Sequence, residues 1–168
     1  ALADKETAIY DQNGLNKNLL EKLIKKKKSL KEYPKSFHIA SDKFWEIAVN
    51  ILIPASVTDV INENNKNKIK ADIIVEAGNI PMSEKIEEEF FQKGVLIVPD
   101  FVANAGGVIS SYAEYRGYNL KKAFRLIEKK ILKTVKFILE ESLKKNKNPR
   151  KVALEIAKGK IENKREKI

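Results

Sequence analysis

Apolar positions along the chain follow two alternating spacings, which predict strands and helices in turn. Short apolar runs within residues 73–76 and 95–98 are typical of strands buried on both faces of a parallel sheet. A third run, at residues 49–53, is stopped by Pro54. Between these runs, apolar residues return every three or four positions, as they do in amphipathic helices. This alternation favours an α/β fold with a doubly wound, mainly parallel sheet.

Capping residues mark where the predicted helices begin. Asn16, Ser83 and Asn119 each precede an amphipathic stretch. Pro149 suits the first turn of a last helix, because that turn does not need its N–H. A further helix is predicted over residues 58–69.

The helix that begins at Asn119 is the longest and reaches about residue 145, and its apolar side chains form one stripe. We interpret this stripe as core packing rather than as a contact between protomers. Two parts are therefore expected: residues 1–118 carry the sheet, and residues 119–168 form C-terminal helices that pack on it or extend it. The members of the stripe are Leu120, Phe124, Ile127, Ile131, Val135, Ile138 and Leu139.

Composition narrows the class of protein. With 168 residues, of which 43% are hydrophobic, the chain can bury one sizeable core. The absence of cysteine excludes disulfides and thiolate metal sites. No apolar run approaches the ~20 residues that span a bilayer, and the N-terminal residues do not resemble a signal peptide. We therefore expect a cytoplasmic protein with no membrane partner.

The formal net charge of +10 admits two interpretations. A basic surface can bind nucleic acid or phosphorylated ligands. However, the lysines lie mostly on predicted helices with glutamates between them, as on solvated helix faces, and no nucleic-acid-binding motif is present. We therefore expect no nucleic-acid partner, while a steeply salt-dependent affinity for duplex DNA would favour one. The acidic run at residues 87–89 is interpreted as a helix face and not as a catalytic acid pair.

Residues 99–111 best indicate a ligand site. They follow a buried strand, and in open α/β sheets ligands bind beyond the carboxyl ends of the strands. Gly106 and Gly107 leave no Cβ between the backbone and a ligand. The side chains of Asn104 and Ser111 can hydrogen-bond a small polar molecule.

Several segments resemble the Glu/Leu/Phe/Val dehydrogenase family, and they occur in that family's order. Residues 99–112 are similar to its Pro-Asp, Asn-Ala-Gly-Gly-Val and Ser-aromatic pattern, and residues 51–55 to its ILIPA strand end. Residues 70–79 resemble its KA.IV.EGAN segment, and residues 1–14 resemble its second strand and the following turn. The resemblance spans nearly the whole chain. It implies a partial Rossmann-like dinucleotide-binding domain over residues 1–118, with NAD or NADP as the cofactor.

The resemblance implies cofactor contacts for five residues. Asp4 would accept hydrogen bonds from a cofactor ribose, although capping of the turn before Gly14 is an alternative. Asn79 would lie beside the nicotinamide ribose, with a turn-forming role as its alternative. Asn104 would orient the nicotinamide carboxamide and the substrate. Ala55 and Ser56 would face the cofactor with backbone and small side chains.

Substrate contacts are implied for Asn104, Val108 and Ser111. In glutamate-specific members of the family, the matching serine binds the side-chain carboxylate, so Ser111 favours L-glutamate. Residues 114–119 instead resemble the leucine and phenylalanine enzymes, which keeps an apolar amino acid as the alternative substrate. The reaction implied is the reversible oxidative deamination of L-glutamate to 2-oxoglutarate and ammonia, by hydride transfer to the nicotinamide.

Two parts of such an enzyme are missing from this sequence. No G-x-G-x-x-G occurs, and residues 1–3 resemble the second strand rather than the first. The family's catalytic lysine and aspartate lie in another domain, so we expect no catalytic residue and no metal site here, and no activity from this chain alone. We expect a piece of a longer polypeptide that assembles as a homo-oligomer, commonly a hexamer in the family. A non-catalytic α/β fragment or a degenerate relative is the competing hypothesis.

Overall fold

The computed structural model describes residues 1–165 and divides the chain into two compact units. The first unit comprises residues 1–49 and 63–70, and the second comprises residues 50–62 and the chain from residue 71 onward. The parallel sheet and the long C-terminal helices lie in the second unit, which confirms the α/β class. The division expected between residues 118 and 119 stays a prediction.

An antiparallel sheet is the main feature of the first unit. Strand β1 (Leu2–Ala3) pairs with β2 (Ala8–Ile9), and β2 pairs with β3 (His38–Ile39). The chain reverses between β1 and β2 because the Asp4 carboxylate caps the turn. We expected residues 1–3 to form a strand of the parallel sheet. In the described chain they instead pair with β2, in the antiparallel sheet.

Helix α1 (Lys17–Lys25) begins at the predicted cap, since the Asn16 side chain accepts a hydrogen bond from Leu19 N at 3.0 Å. The Tyr33 hydroxyl accepts a hydrogen bond from Asn16 N at 2.9 Å, and Tyr33 is buried. Helix α1 is therefore tied to the segment that leads to β3. The 3-10 turns of this unit are Leu30–Glu32, Lys35–Phe37, Lys43–Glu46 and Lys66–Lys68.

Three parallel strands in sequential order form the sheet of the second unit: β4 (Ile51–Leu52), β5 (Ile73–Val75) and β6 (Leu96–Val98). Ile74 and Ile97, in β5 and β6, are fully buried, as their continuous apolar runs predict. The carboxyl ends of all three strands therefore meet at one edge of the sheet.

Five helices complete the second unit. Ser83 and Asn119 cap α2 and α5 as predicted, because their side chains accept hydrogen bonds from backbone N–H groups in the first turn. None of the helices within residues 1–165 combines the length and the apolar character of a membrane span. The helices are α2 (Glu84–Gln92), α3 (Asp100–Ala103), α4 (Gly106–Tyr115), α5 (Leu120–Lys145) and α6 (Pro149–Arg165).

The helix predicted over residues 58–69 does not form. Its backbone instead bonds the segment after β5: Asp59 N donates to Ile80 O at 3.0 Å, and Ile61 N donates to Pro81 O at 2.9 Å. Asp59 has a φ of +54°, which is incompatible with a right-handed helix. The segment is also rich in asparagine, whose side chain competes with helical hydrogen bonds.

Only part of the apolar stripe on α5 is buried. Ile138 belongs to the core, whereas Leu120 and Phe124 are 77% and 67% exposed. Gly106, the first residue of α4, lies beside Ile127, so α4 runs along the first half of α5 but leaves these two side chains uncovered. The interpretation as core packing is therefore wrong for the first turns of α5. The core cluster consists of Val98, Val102, Ile138, Val152 and Ala153.

Candidate functional site

The carboxyl ends of β4 and β5 bring together two segments that were predicted to contact a cofactor. Ala77 N and Gly78 N both donate to Pro54 O, at 3.0 and 2.9 Å. Gly78 lies so close to the preceding segment that an added Cβ would be 2.9 Å from Ser56 O. Ala55 and Ser56 are exposed beside this contact. The loop after β5 and the end of β4 therefore share one surface.

The side chains of Asn79 and Asn104 pair directly at this surface. Asn104 Nδ2 donates to Asn79 Oδ1 at 2.7 Å and lies 3.4 Å from Gly78 O. Asn79 is exposed and Asn104 is half-buried. Among the described residues, Asn79 Nδ2 and Asn104 Oδ1 make no further hydrogen bond, so the pair keeps one donor and one acceptor. Asn104 Oδ1 can accept from a primary carboxamide such as that of a nicotinamide, and Asn79 Nδ2 can donate to a neighbouring hydroxyl.

Helix α4 carries two of the three predicted substrate residues, Val108 and Ser111, one turn apart. Val108 is 78% exposed, and Ser111 is exposed on the same helix. Ser111 Oγ donates to Gly107 O at 3.2 Å, which leaves its lone pairs able to accept. Gly106 faces α5, because an added Cβ would lie 3.5 Å from the Ile127 side chain, whereas one at Gly107 would meet nothing within 4 Å. Of the glycine pair, only Gly107 leaves open space for a ligand.

Asp4 lies in the first unit, where its carboxylate takes part in a turn. Oδ1 accepts hydrogen bonds from Glu6 N and Thr7 N, both at 2.8 Å. Asp4 therefore caps the turn between β1 and β2, whereas the turn before Gly14, which the sequence suggested for it, is capped by Asp11. Oδ2 makes no hydrogen bond among the described residues, so an acceptor remains on this exposed side chain. A role for Asp4 in binding ribose stays a prediction.

A buried ion cluster, which the sequence analysis missed, adjoins the loop after β5. We call it the Arg150 cluster; it consists of Arg150, Glu76, Glu87 and Asp100. Arg150 Nη2 lies 2.8 Å from Glu76 Oε2, and Arg150 Nε lies 2.5 Å from Glu87 Oε2. Arg150 Nη1 lies 3.1 Å from Asp100 Oδ1, as an ion pair rather than an aligned hydrogen bond. Glu76 and Glu87 are fully buried.

Backbone hydrogen bonds connect the cluster to the loop. Asp100 Oδ2 accepts a hydrogen bond from Ile80 N at 3.0 Å. Glu76 Oε2 accepts one from Asp100 N at 2.8 Å, in addition to its bond from Arg150. The same carboxylate of Asp100 thus contacts the guanidinium with one oxygen and the loop with the other.

Three carboxylates share one guanidinium, so the cluster holds more negative than positive charge away from water. Burial, reinforced by the negative charge of Glu87, raises the pKa of Glu76 to about 7. Burial also raises the pKa of Glu87. Burial opposes ionisation of Asp100 as well, but hydrogen bonds from the backbone of Ile80 and Phe101, together with Arg150, hold its pKa below the ordinary value.

The Asp100 carboxylate, which bonds the loop, therefore stays charged at neutral pH, while Glu76 is partly protonated near pH 7. Oε1 of Glu76 and Oε1 of Glu87 have no hydrogen-bond partner among the described residues. A buried oxygen without a donor is costly when it is charged, which is the physical reason for the raised pKa values.

Residues 87–89 lie on helix α2 as predicted, but Glu87 is on its buried side, which the sequence did not indicate. Its side chain is 1% exposed and bonds Arg150, which lies 63 residues further along the chain. A partial signal was present in the sequence, since Glu76 directly follows an apolar strand. No local sequence pattern, however, indicates which basic residue forms an ion pair with an acid at that position.

Comparison with known proteins adds a family to this geometry. Residues 1–167 match the model of the glutamate/leucine/phenylalanine/valine dehydrogenase family. The chain is 32% identical to the glutamate dehydrogenase of Aeropyrum pernix over 157 residues, which are 88% of this chain and 38% of that protein. It is 33% identical to the NADP-specific glutamate dehydrogenase of Saccharolobus shibatae over 68% of this chain and 27% of that protein. It is 35% identical to the NAD-specific enzyme of Clostridioides difficile over 64% of this chain and 26% of that protein.

Solved structures show the same fold. The chain superposes on the L-tryptophan dehydrogenase of Nostoc punctiforme with a TM-score of 0.69 and 27% identity, covering 76% of this chain and 38% of that one. It superposes on the hetero-hexameric glutamate dehydrogenase of Thermus thermophilus with a TM-score of 0.71 and 18% identity, covering 87% and 36%. The chain therefore spans well under half the length of each of these proteins.

The two glycines nearest the candidate site are expected to respond differently to a methyl group. Gly78→Ala forces a Cβ against the Ser56 carbonyl and should lower the free energy of unfolding by about 1–3 kcal/mol. Gly107→Ala, in the exposed first turn of α4, should be neutral or stabilising by up to about 1 kcal/mol. Urea unfolding of both variants checks this, and equal effects would contradict the close contact at Gly78.

Removal of the shared cation should destabilise the second unit strongly. Arg150→Met leaves the buried carboxylates uncompensated, and we expect a loss of about 3–5 kcal/mol in the free energy of unfolding. Lys151→Met is the matched control: the neighbouring Lys151 pairs with Glu88 at 3.0 Å on the surface, so its loss should cost less than about 1 kcal/mol. Similar costs for the two variants in urea unfolding would show that the cluster is not the stronger contact.

Glu76 should make stability depend on pH. Its pKa is about 7 in the folded chain and about 4.3 in an unfolded one. Between these values the folded state binds more protons, so the free energy of unfolding should fall as the pH rises from about 4.5 to about 7. Glu76→Gln should reduce this slope, and Glu87 should account for what remains. Urea unfolding across this pH range measures the slope, and an unchanged slope in the variant would refute the assignment.

Proposed function

The chain belongs to the glutamate/leucine/phenylalanine/valine dehydrogenase family, and from that membership we propose that it is the cofactor-binding part of an NAD- or NADP-dependent dehydrogenase of L-glutamate. The reaction is the reversible oxidative deamination of L-glutamate to 2-oxoglutarate and ammonia. The relatives named as NADP-specific and NAD-specific glutamate dehydrogenases support both the cofactor class and the substrate.

The observation that carries the proposal is the Asn79–Asn104 pair at the carboxyl ends of the parallel strands. Its 2.7 Å hydrogen bond fixes both amides, which leaves Asn104 Oδ1 to accept from a carboxamide and Asn79 Nδ2 to donate to a ribose hydroxyl. Ala55 and Ser56, exposed beside Gly78, present only small side chains near the pair. This edge of the sheet is where open α/β folds bind their ligands.

A bound nicotinamide would supply the acceptor for the hydride that leaves the substrate Cα. The residues of this chain have a simpler task, which is to hold the cofactor and substrate in register. Asn104 would orient the carboxamide, and Asn79 would support the adjoining ribose. Hydride transfer needs the reacting atoms at about 3–3.5 Å, so small displacements of these amides should slow it.

Ser111 supports L-glutamate as the substrate. It is exposed on α4, and its hydroxyl can donate to a substrate carboxylate in place of its present bond to Gly107 O. Val108, one turn away and 78% exposed, offers an apolar surface instead. That surface, together with the 27% identity to an L-tryptophan dehydrogenase, keeps an apolar amino acid as the second candidate substrate.

The activity belongs to a larger assembly than this chain. The curated relatives are about two and a half times as long as this chain, since the matched segments span 26–38% of their lengths. We propose that the groups that exchange protons with the substrate lie outside this chain and that the whole protein is a homo-oligomer. The hetero-hexameric neighbour from Thermus thermophilus is consistent with such an assembly.

Substrate choice can be tested on the whole polypeptide in which this chain is made. Ser111→Ala should raise the KM for glutamate about tenfold, because a carboxylate loses a hydrogen-bond donor. Ser110→Ala is the control: Ser110 is adjacent, exposed, and also donates to Gly107 O, at 2.7 Å. Glutamate-dependent reduction of NAD⁺ and NADP⁺ is the measurement.

Three results would decide against parts of the proposal. Faster reduction with leucine or phenylalanine than with glutamate would select the second substrate class. Equal effects of the two serine substitutions would remove Ser111 from the substrate site. Binding of neither dinucleotide would favour a non-catalytic α/β module.

A further inference from the structure

The loop that carries Asn79 adopts a conformation that its own sequence does not favour. Ile80 has a φ of +47°, and a β-branched residue in this left-handed region is strained. Its side chain is 57% exposed, so apolar packing does not compensate for the strain. Something other than local preference or burial must hold this backbone in place.

Two backbone hydrogen bonds hold Ile80. Its carbonyl accepts from Asp59 N at 3.0 Å, and its N–H donates to Asp100 Oδ2 at 3.0 Å. Only the second bond involves a charged group, and such bonds are about twice as strong as neutral ones. The peptide that joins Asn79 to Ile80 also accepts a longer, neutral bond from Thr58 Oγ1 to Asn79 O at 3.3 Å, so the charged Asp100 is its main anchor.

Asp100 is in turn held by Arg150. Nη1 of Arg150 lies 3.1 Å from Asp100 Oδ1, on the opposite side of the carboxylate from Ile80 N. The guanidinium is fixed by its bonds to Glu76 and Glu87, and it stacks on Phe101 with 5.4 Å between Cζ and the ring centroid. The planar guanidinium contacts three acids at once, and the ammonium group of a lysine cannot reproduce this geometry.

We propose that Arg150 is a positioning residue for the nicotinamide end of the cofactor, because through Asp100 it sets the orientation of the Asn79–Ile80 peptide and hence of the Asn79 amide. This inference rests on the proposed function, in which Asn79 and Asn104 receive the nicotinamide ribose and carboxamide. Neither Arg150 nor Asp100 needs to contact the cofactor. Arg150 lies on helix α6 and makes no hydrogen bond to residues 77–80 in the described chain. It acts on that part of the loop through Asp100.

The test compares two ligands on the same polypeptide. NADH or NADPH reports the whole site, whereas ADP-ribose, or its 2′-phosphate, lacks the nicotinamide. Arg150→Lys keeps the charge but loses the fork, and Asp100→Ala removes the link to Ile80. Lys151→Met, on the same helix and paired with Glu88, is the matched control.

We expect Arg150→Lys and Asp100→Ala to weaken NAD(P)H binding about tenfold. Binding of ADP-ribose should stay within about twofold of the unsubstituted protein, because a defect confined to one loop leaves the rest of the site intact. Lys151→Met should change neither affinity. This difference between the two ligands separates positioning from a general loss of structure, which would weaken both alike.

An equal loss for both ligands, or no loss for either, overturns the inference. If Arg150→Lys does not fold, Asp100→Ala decides alone, since it lowers the excess of buried negative charge. A failure of the unsubstituted protein to bind NADH and NADPH is a separate result, which contradicts the proposed function itself.

Discussion

One guanidinium, that of Arg150, holds acids from three other parts of the second unit. Glu76 ends β5, Glu87 lies in α2, and Asp100 begins α3 beyond β6. Because α6 carries the cation that contacts all three acids, the docking of that helix and the positions of the strand ends depend on each other. The loop that carries Asn79 inherits its position from this arrangement through Asp100.

The cluster is not an economical way to stabilise a core. Burying ionised groups has a large desolvation cost, and well-packed apolar residues often stabilise a core as well as an ion pair does. The raised pKa of Glu76 and Glu87 and their unbonded Oε1 atoms reflect that cost. What the charges add is direction, since Glu76 Oε2, Glu87 Oε2 and Asp100 Oδ2 each accept from a defined donor, and apolar contacts lack such geometry. A loop that holds a strained residue next to a ligand-binding amide depends on that geometry more than on additional stability.

Local physics was enough to predict much of the fold. The caps at Asn16, Ser83 and Asn119 begin helices because each side chain bonds its own first turn, and the apolar runs at β5 and β6 form buried strands. The helix expected at residues 58–69 failed because its N–H groups bond a segment about twenty residues away. The amide pair was predicted only as two separate residues, since their contact joins positions 25 apart. The partners of Arg150 are 50 to 74 residues distant, and no short-range pattern encodes such a pairing.

The Ile80 amide hydrogen reports most directly on whether Arg150 holds the candidate site through Asp100. Amide hydrogen exchange, followed by mass spectrometry on peptides that cover residues 76–83, measures its protection in the intact polypeptide. Slow exchange of Ile80 that becomes fast in Arg150→Lys but not in Lys151→Met would agree with the chain of contacts from α6 to the loop. Fast exchange in the unsubstituted protein, or exchange that does not respond to Arg150, would contradict it.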